Sequence, residues 1–91
     1  INAARGAVCD ENAVAEAILS GSIGGFGCDV YSSEPLPEDH PYQTIINHPS
    51  VCLTPHMAWG SYEARVRLVS MITDNISSFL SGGKLGRVDL K

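Results

Sequence analysis

A chain of 91 residues, 44% hydrophobic and 18% charged, makes one small globular domain or part of a larger one. Its net charge of −4 and only six scattered basic residues exclude a polyanion partner such as nucleic acid, because phosphate binding needs clustered Lys and Arg. No apolar run approaches the ~20 residues that span a bilayer, so no membrane partner is expected. Three cysteines (Cys9, Cys28 and Cys52) with no CxxC pair point to a reduced, cytoplasmic setting. Cys28 and Cys52 lie in apolar runs, where Cys packs as a small buried hydrophobe. No secretory leader is expected, since the opening residues lack a basic segment followed by an apolar core.

Ile1 to Ala4 reads as a short strand, entered mid-strand, that runs out at Arg5-Gly6 into a tight turn. Asp10 then offers an N-cap and Glu11 suits a first helical turn. Ala13, Val14, Ala17 and Ile18 follow at helical spacing, and Ser20-Gly21 stops the element, which predicts a helix over about 10–20. Gly24 to Tyr31 reads as a Gly-rich strand in which missing Cβ atoms let a helix or a neighbouring backbone come close. Strand, helix and strand within some 30 residues predict a βαβ unit, parallel with a right-handed crossover.

Between Ser32 and Pro49 stand four of the five prolines, which predicts a loop, with room for a helical turn around 42–46. Val51 to Thr54 is the next strand. After Gly60, with Ser61 as N-cap, Tyr62, Val66, Val69, Ile72, Ile76 and Phe79 recur at three- and four-residue spacing, widened by Leu68, Met71 and Leu80. That helix ends at Ser81-Gly82-Gly83, is long beside the strands, and suits crossing to a second body of protein. The tail from Lys84 to Lys91 has room for one edge strand. No GxGxxG phosphate loop is present, for Gly24, Gly25 and Gly27 have the wrong spacing and lie within a strand.

Two apolar runs, Gly27 to Tyr31 and Val51 to Thr54, each end in polar residues beside a proline. That pattern delivers side chains to the rim of a parallel sheet, where ligands bind in α/β proteins. Three ionisable residues fall at strand ends: Arg5, Glu34 and His56. If the strands are adjacent and parallel, their ends lie ~5 Å apart and the three side chains converge on one crevice. An Arg offers a planar fork for a carboxylate, and a His exchanges a proton with a hydroxyl or carbonyl oxygen. A Glu bonded to that His fixes its tautomer. Blander readings stand beside these: Arg5 and Glu34 as solvated surface charges, His56 as a strand-end residue, Trp59 as core. Asp29 within an apolar strand is harder to dismiss, since a buried carboxylate needs partners. His40, His48 and His56 at eight-residue spacing do not make a zinc site, because the first two lie in a loop with no thiol near and no HxxxH spacing.

Asn2-Ala3-Ala4-Arg5-Gly6, then Gly27-Cys28-Asp29-Val30-Tyr31 with Glu34-Pro35, then Thr54-Pro55-His56-Met57-Ala58-Trp59 resemble the D-isomer-specific 2-hydroxyacid dehydrogenases in order and spacing. His56-x-Ala58-Trp59 followed by Glu63-Ala64-Arg65 looks most like the glycerate dehydrogenase/hydroxypyruvate reductase branch. The resemblance implies an α/β fold: residues 1–58 the last part of a Rossmann-type nucleotide-binding domain, and residues 59–91 a long helix and tail returning to a substrate domain. It implies hydride transfer between NAD or NADP and a small 2-oxo or 2-hydroxy acid of the hydroxypyruvate or glyoxylate type, in a homodimer. Arg5 would bind substrate carboxylate, His56 would be the acid/base, and Glu34 would pair with it. Ala3, Ala4, Arg5, Asp29, His56 and Ala58 would meet the cofactor, Asp29 at its nicotinamide end and Ala3 and Ala4 along its ribose. Neither the phosphate loop nor most of the substrate domain lies within these residues. The 91 residues alone are therefore expected neither to bind cofactor appreciably nor to turn over, and to present an open sheet edge that invites pairing with another chain. Two other readings compete, a non-catalytic protein-interaction module on the same fold and a plain assembly domain.

Overall fold

Asp10 starts the first helix as its side chain dictates. Oδ1 accepts the backbone N–H of Ala13 at 3.1 Å, and Glu11–Leu19 follow as α1. Ser20 ends the helix and Gly21, at φ 72°, supplies the left-handed residue that turns the chain back. In a computed structural model that describes residues 1–89, two strands come next, β1 (Phe26–Cys28) and β2 (Val51–Leu53). They pair in parallel with Phe26 opposite Val51, Gly27 opposite Cys52 and Cys28 opposite Leu53.

The expected first strand contracts to a single parallel bridge between Asn2 and Cys28. It is made by Asn2 N–H to the Gly27 carbonyl at 2.8 Å and by Asp29 N–H to the Asn2 carbonyl at 3.0 Å. Cys28 thus has a parallel neighbour on each side, and the order is Asn2 segment, β1, β2. The pairing of 24–31 is shorter than the glycine-rich run, for two reasons. Gly24 and Gly25 precede the ladder, and beyond Cys28 the Asp29 carboxylate turns to Thr54, Met57 and Ala58. Gly25 does meet a close backbone, since a Cβ there would lie 2.8 Å from the Ser50 carbonyl, whereas Gly27 faces only the Ile1 side chain at 3.5 Å. The closest approach falls elsewhere. A Cβ on Gly6 would stand 2.1 Å from the carbonyl carbon of Tyr31, so only glycine fits.

Residues 29–50 connect the strands as a loop, with one 3₁₀ turn at Pro41–Thr44, slightly before the expected position. That loop supplies part of the core. Tyr42 and Ile45 are almost fully buried and pack with Ala15 and Ile18 of α1 and with Phe26 and Cys28 of β1. Phe26 and Tyr42 meet edge to face at 5.3 Å. Cys52 departs from expectation. It is exposed, because the alternation of β2 turns it away from the side chains packed against Val51 and Leu53.

The chain divides into two compact units, Ile1–Ala58 and the residues from Trp59 onward. In the second, Ser61 caps α2 (Tyr62–Leu80) by accepting Ala64 N–H at 3.1 Å. At 1.5 Å per residue α2 runs about 29 Å. None of its residues is buried; Tyr62, Val66, Val69, Ile72, Ile76 and Phe79 form an exposed apolar stripe. Trp59 is exposed as well, so it is not core. The chain after α2 bends back, with Leu85 N–H donating to Ser78 Oγ at 3.1 Å. Residues 84–89 form no strand; Leu90 and Lys91, where the expected edge strand would end, lie outside the described residues. No described helix is long and apolar enough to cross a membrane.

Gly6→Ala is expected to lower stability by about 3 kcal/mol, the upper end for overpacking against backbone that cannot retreat. Urea denaturation measures it, and an unchanged midpoint would show that the Tyr31–Ser32 peptide moves.

Candidate active site

Two side chains predicted for the rim meet there. His56 Nδ1 lies 2.7 Å from Glu34 Oε2. An ionised carboxylate only accepts, so the proton in this contact sits on Nδ1. The bond to His56 holds the Glu34 carboxyl below its ordinary value. Tyr31 N–H, donating to Oε1 at 3.0 Å, and the charge of Arg5 add to the effect. The His56 and Glu34 side chains are 41% and 37% exposed, and a pair that open contributes little to stability.

Asp29 supplies the platform. Its Oδ1 accepts the Thr54 hydroxyl at 2.6 Å and Met57 N–H at 2.9 Å, and its Oδ2 accepts Ala58 N–H at 2.8 Å. Those bonds, led by the one from Thr54, hold its carboxyl below the ordinary value. They also span His56, whose φ of 53° is left-handed and strained for a residue with a Cβ. Tyr31 ties the same ends together by donating its hydroxyl to the Thr54 carbonyl at 2.8 Å. Burial pushes the Tyr31 hydroxyl above its usual value, which keeps it a donor. Next to the pair lies an apolar cleft of about 340 Å³, walled by Leu36, Ile46, Leu53 and Pro55 with Glu34 and His56.

Arg5 is not drawn into the pair. It is exposed, its Nη1 donates to the Ala4 carbonyl at 2.7 Å, and among the described residues it makes no ion pair, although its charge registers at Glu34. Ala3 and Ala4 stand exposed at the end of the bridged segment. Their path is set by Asn2, which is buried. Its Nδ2 donates to the Arg5 carbonyl at 2.9 Å and its Oδ1 accepts Ala4 N–H at 3.2 Å. An Asn at the head of a turn that accepts the N–H two residues on is a local signal, though sequence reasoning gave Asn2 no role of its own. Tyr31 and Thr54 were missed too, and His40, expected in an open loop, is 5% exposed and touches Glu11. No group of His, Cys, Asp and Glu among the described residues suits a metal.

Residues 1–58 match the model of the D-isomer specific 2-hydroxyacid dehydrogenase, NAD binding domain. The chain belongs to that family. A glycerate dehydrogenase of Methylorubrum extorquens is 42% identical over 82 residues, 90% of this chain and 26% of its own length. The mitochondrial formate dehydrogenase of Hordeum vulgare is 38% identical, over 90% of this chain and 21% of its own. In three dimensions the chain resembles an NADPH-dependent glyoxylate/hydroxypyruvate reductase of Sinorhizobium meliloti, solved with NADP and malonate. The TM-score is 0.65 at 34% identity, covering 88% of this chain and 24% of that one. The chain therefore spans about a quarter of the length of these relatives, and its α/β fold is that of Rossmann-type dehydrogenases. NAD or NADP is the cofactor class of this dehydrogenase domain. The residues present fit one end of such a cofactor: a carboxylate has about four acceptor positions, and Asp29 fills three within the chain.

Both rim carboxyls bind protons less tightly folded than unfolded, so the unfolded chain takes up more protons in acid and stability rises with pH there. Stability is expected to be flat above the ordinary values of 4.5 for Glu34 and 3.8 for Asp29 and to fall as pH drops through the depressed folded ones. Thermal midpoints between pH 6 and 2 (~1-unit steps) test this, and a Glu34→Gln, Asp29→Asn double variant should flatten the slope.

Proposed function

We propose that residues 1–58 are the C-terminal part of the nucleotide-binding half of a 2-hydroxyacid dehydrogenase. Residues 59–91 are then the helix and tail that return to its substrate domain. The whole protein interconverts a small 2-oxo acid of the hydroxypyruvate or glyoxylate type and its 2-hydroxy acid, with NAD or NADP. The observation that carries this reading is the 2.7 Å contact between Glu34 and the Nδ1 of His56 on a turn pinned at both sides.

A bound nicotinamide supplies the hydride that reduces the carbonyl carbon. The protein's share is orientation and one proton. Arg5, exposed and in no ion pair among the described residues, receives the substrate carboxylate through its planar fork and polarises the adjacent carbonyl. His56 gives the proton on Nε2 to the nascent alkoxide, while Glu34 keeps Nδ1 protonated and balances the imidazolium charge between turnovers. In oxidation the same nitrogen removes the hydroxyl proton. Asp29 has one acceptor position left for an N–H of the nicotinamide end, and Ala3, Ala4 and Ala58 are small enough to let the cofactor approach.

The family resemblance covers formate dehydrogenases as well. Oxidising formate to carbon dioxide takes a hydride from carbon and leaves no hydroxyl proton to move. An imidazole held in one tautomer by a carboxylate is superfluous there and useful for a hydroxy acid, which favours the hydroxy-acid reading. Three free thiols support a cytoplasmic setting. The homodimer belongs to the same reading, since β2 is an edge of the described sheet and a sheet edge invites pairing with another chain.

In the native full-length polypeptide, His56→Gln is expected to cut kcat for NADH oxidation with hydroxypyruvate or glyoxylate by ~100-fold or more, with KM changed far less. Formate is expected to give no NAD reduction. A variant with an undiminished rate overturns the acid/base role of His56, whereas an unsubstituted full-length polypeptide without turnover sinks the enzyme reading and leaves the interaction module in its place.

A further inference from the structure

Glu11 opens α1, where an acidic residue is ordinarily a charge set against the helix dipole. Here both of its oxygens turn to the loop that follows β1. Oε1 accepts the backbone N–H of Ser32 at 2.8 Å, and Oε2 accepts the Ser32 hydroxyl at 2.5 Å. Burial pushes the Glu11 carboxyl up, but the two bonds from Ser32 and the nearness of His40 outweigh it, and the group stays ionised more readily than usual.

His40 backs this clamp. It is 5% exposed, and its Nδ1 accepts the N–H of Tyr42 at 3.1 Å, which leaves the ring proton on Nε2. Nε2 lies 2.9 Å from Glu11 Oε2, a close approach of the imidazole to the carboxylate rather than an aligned hydrogen bond. The rings of Tyr42 and Tyr31 hold the imidazole edge-on at 4.8 and 6.1 Å.

The clamped peptide is the one that aims Glu34. Ser32 stands two residues before it, Tyr31 N–H donates to its Oε1 at 3.0 Å, and the backbone of Gly6 packs directly under the Tyr31–Ser32 peptide. Around Glu11 stand Ser32, His40, the Cys28 thiol and Tyr42; around Glu34 stand His56, Tyr31 and Arg5.

We propose that Glu11 is a positioning residue for the Glu34–His56 pair, fixing the peptide from which Glu34 reaches the imidazole. The proposal rests on the acid/base reading of that pair. Glu11 touches neither His56 nor any ligand position; it acts through Ser32.

The test is Glu11→Ala in the native full-length polypeptide, read in two ways. Carbon NMR of the Glu34 carboxyl in the folded variant is expected to show it titrating closer to the ordinary glutamate range, because its alignment with His56 is lost. Turnover of hydroxypyruvate is expected to fall ~10-fold in kcat with KM changed less, the signature of misplaced catalytic geometry. Glu11→Gln, which keeps an acceptor for Ser32 N–H, is expected to restore part of both. A mere loop staple lowers the thermal midpoint and leaves the Glu34 titration and kcat where they were; that result overturns the proposal. Should Glu11→Ala fail to fold, Ser32→Ala deletes only the hydroxyl link and is read by the same two measurements. The NMR arm does not depend on turnover. A His56→Gln enzyme that keeps its rate would falsify the acid/base reading, whereas an unmoved Glu34 titration rejects the role of Glu11.

Discussion

The carboxylate of Asp29 is the constraint on which the rim is built. It leaves β1 at a point where the ladder has ended and receives the Thr54 hydroxyl and the N–H groups of Met57 and Ala58. A backbone N–H without a partner is costly near a protein interior, and the turn after β2 would otherwise leave two of them. Because the acceptors are one rigid group, the chain from 54 to 58 must curl around it. The residue at the crest of that curl, His56, is forced to φ 53°. A left-handed conformation in a residue with a Cβ costs of order 1–3 kcal/mol, and the three bonds to Asp29 are what offset it.

Two carboxylates thus divide the labour at one sheet edge. Asp29 is buried and spends its acceptors on backbone and a threonine hydroxyl, so it shapes the chain. Glu34 is exposed and gives one oxygen to Tyr31 N–H and the other to an imidazole, so it sets a protonation state. Exposure decides the difference. A solvated ion pair adds little to stability, yet it fixes which nitrogen of His56 holds the proton. Glu11 makes a third carboxylate of the same kind as Asp29, bound to a loop and placed one step further from the chemistry.

The stability of the first unit comes from a different layer. Tyr42 and Ile45 reach the core from a loop rich in proline, and they meet Phe26, Cys28, Ala15 and Ile18 there. The loop is therefore held at both ends of its length: by apolar burial at 42–45 and by Glu11 and Gly6 at 31–32. Burial raises the Cys28 thiol and leaves it an inert packing group. Among the described residues the second unit buries none. Its α2 stripe is entirely exposed among the described residues, in a chain that spans about a quarter of its relatives' length.

The sequence by itself determined the elements whose signals are local. Asp10 and Ser61 cap their helices and Gly21 ends α1, because capping bonds and a positive φ depend only on residues within one turn. The parallel pairing and the meeting of Glu34 with His56 were also legible, since strand ends followed by proline place side chains at a rim wherever the strands are adjacent. Tertiary structure alone decided the rest. Asp29 was marked as a buried charge in need of partners, yet its partners at 54–58 lie across the sheet, and nothing near position 29 names them. Cys52 read as buried and faces outward, because the face a strand covers depends on what packs against it. His40 read as a loop residue and is buried against Glu11, and Gly6 looked like an ordinary turn glycine until Tyr31 came to lie on it. In each of these cases the deciding contact joins residues that only the packing of α1, β1, β2 and the loop brings together, and a contact across more than twenty positions leaves no periodicity in the chain to read.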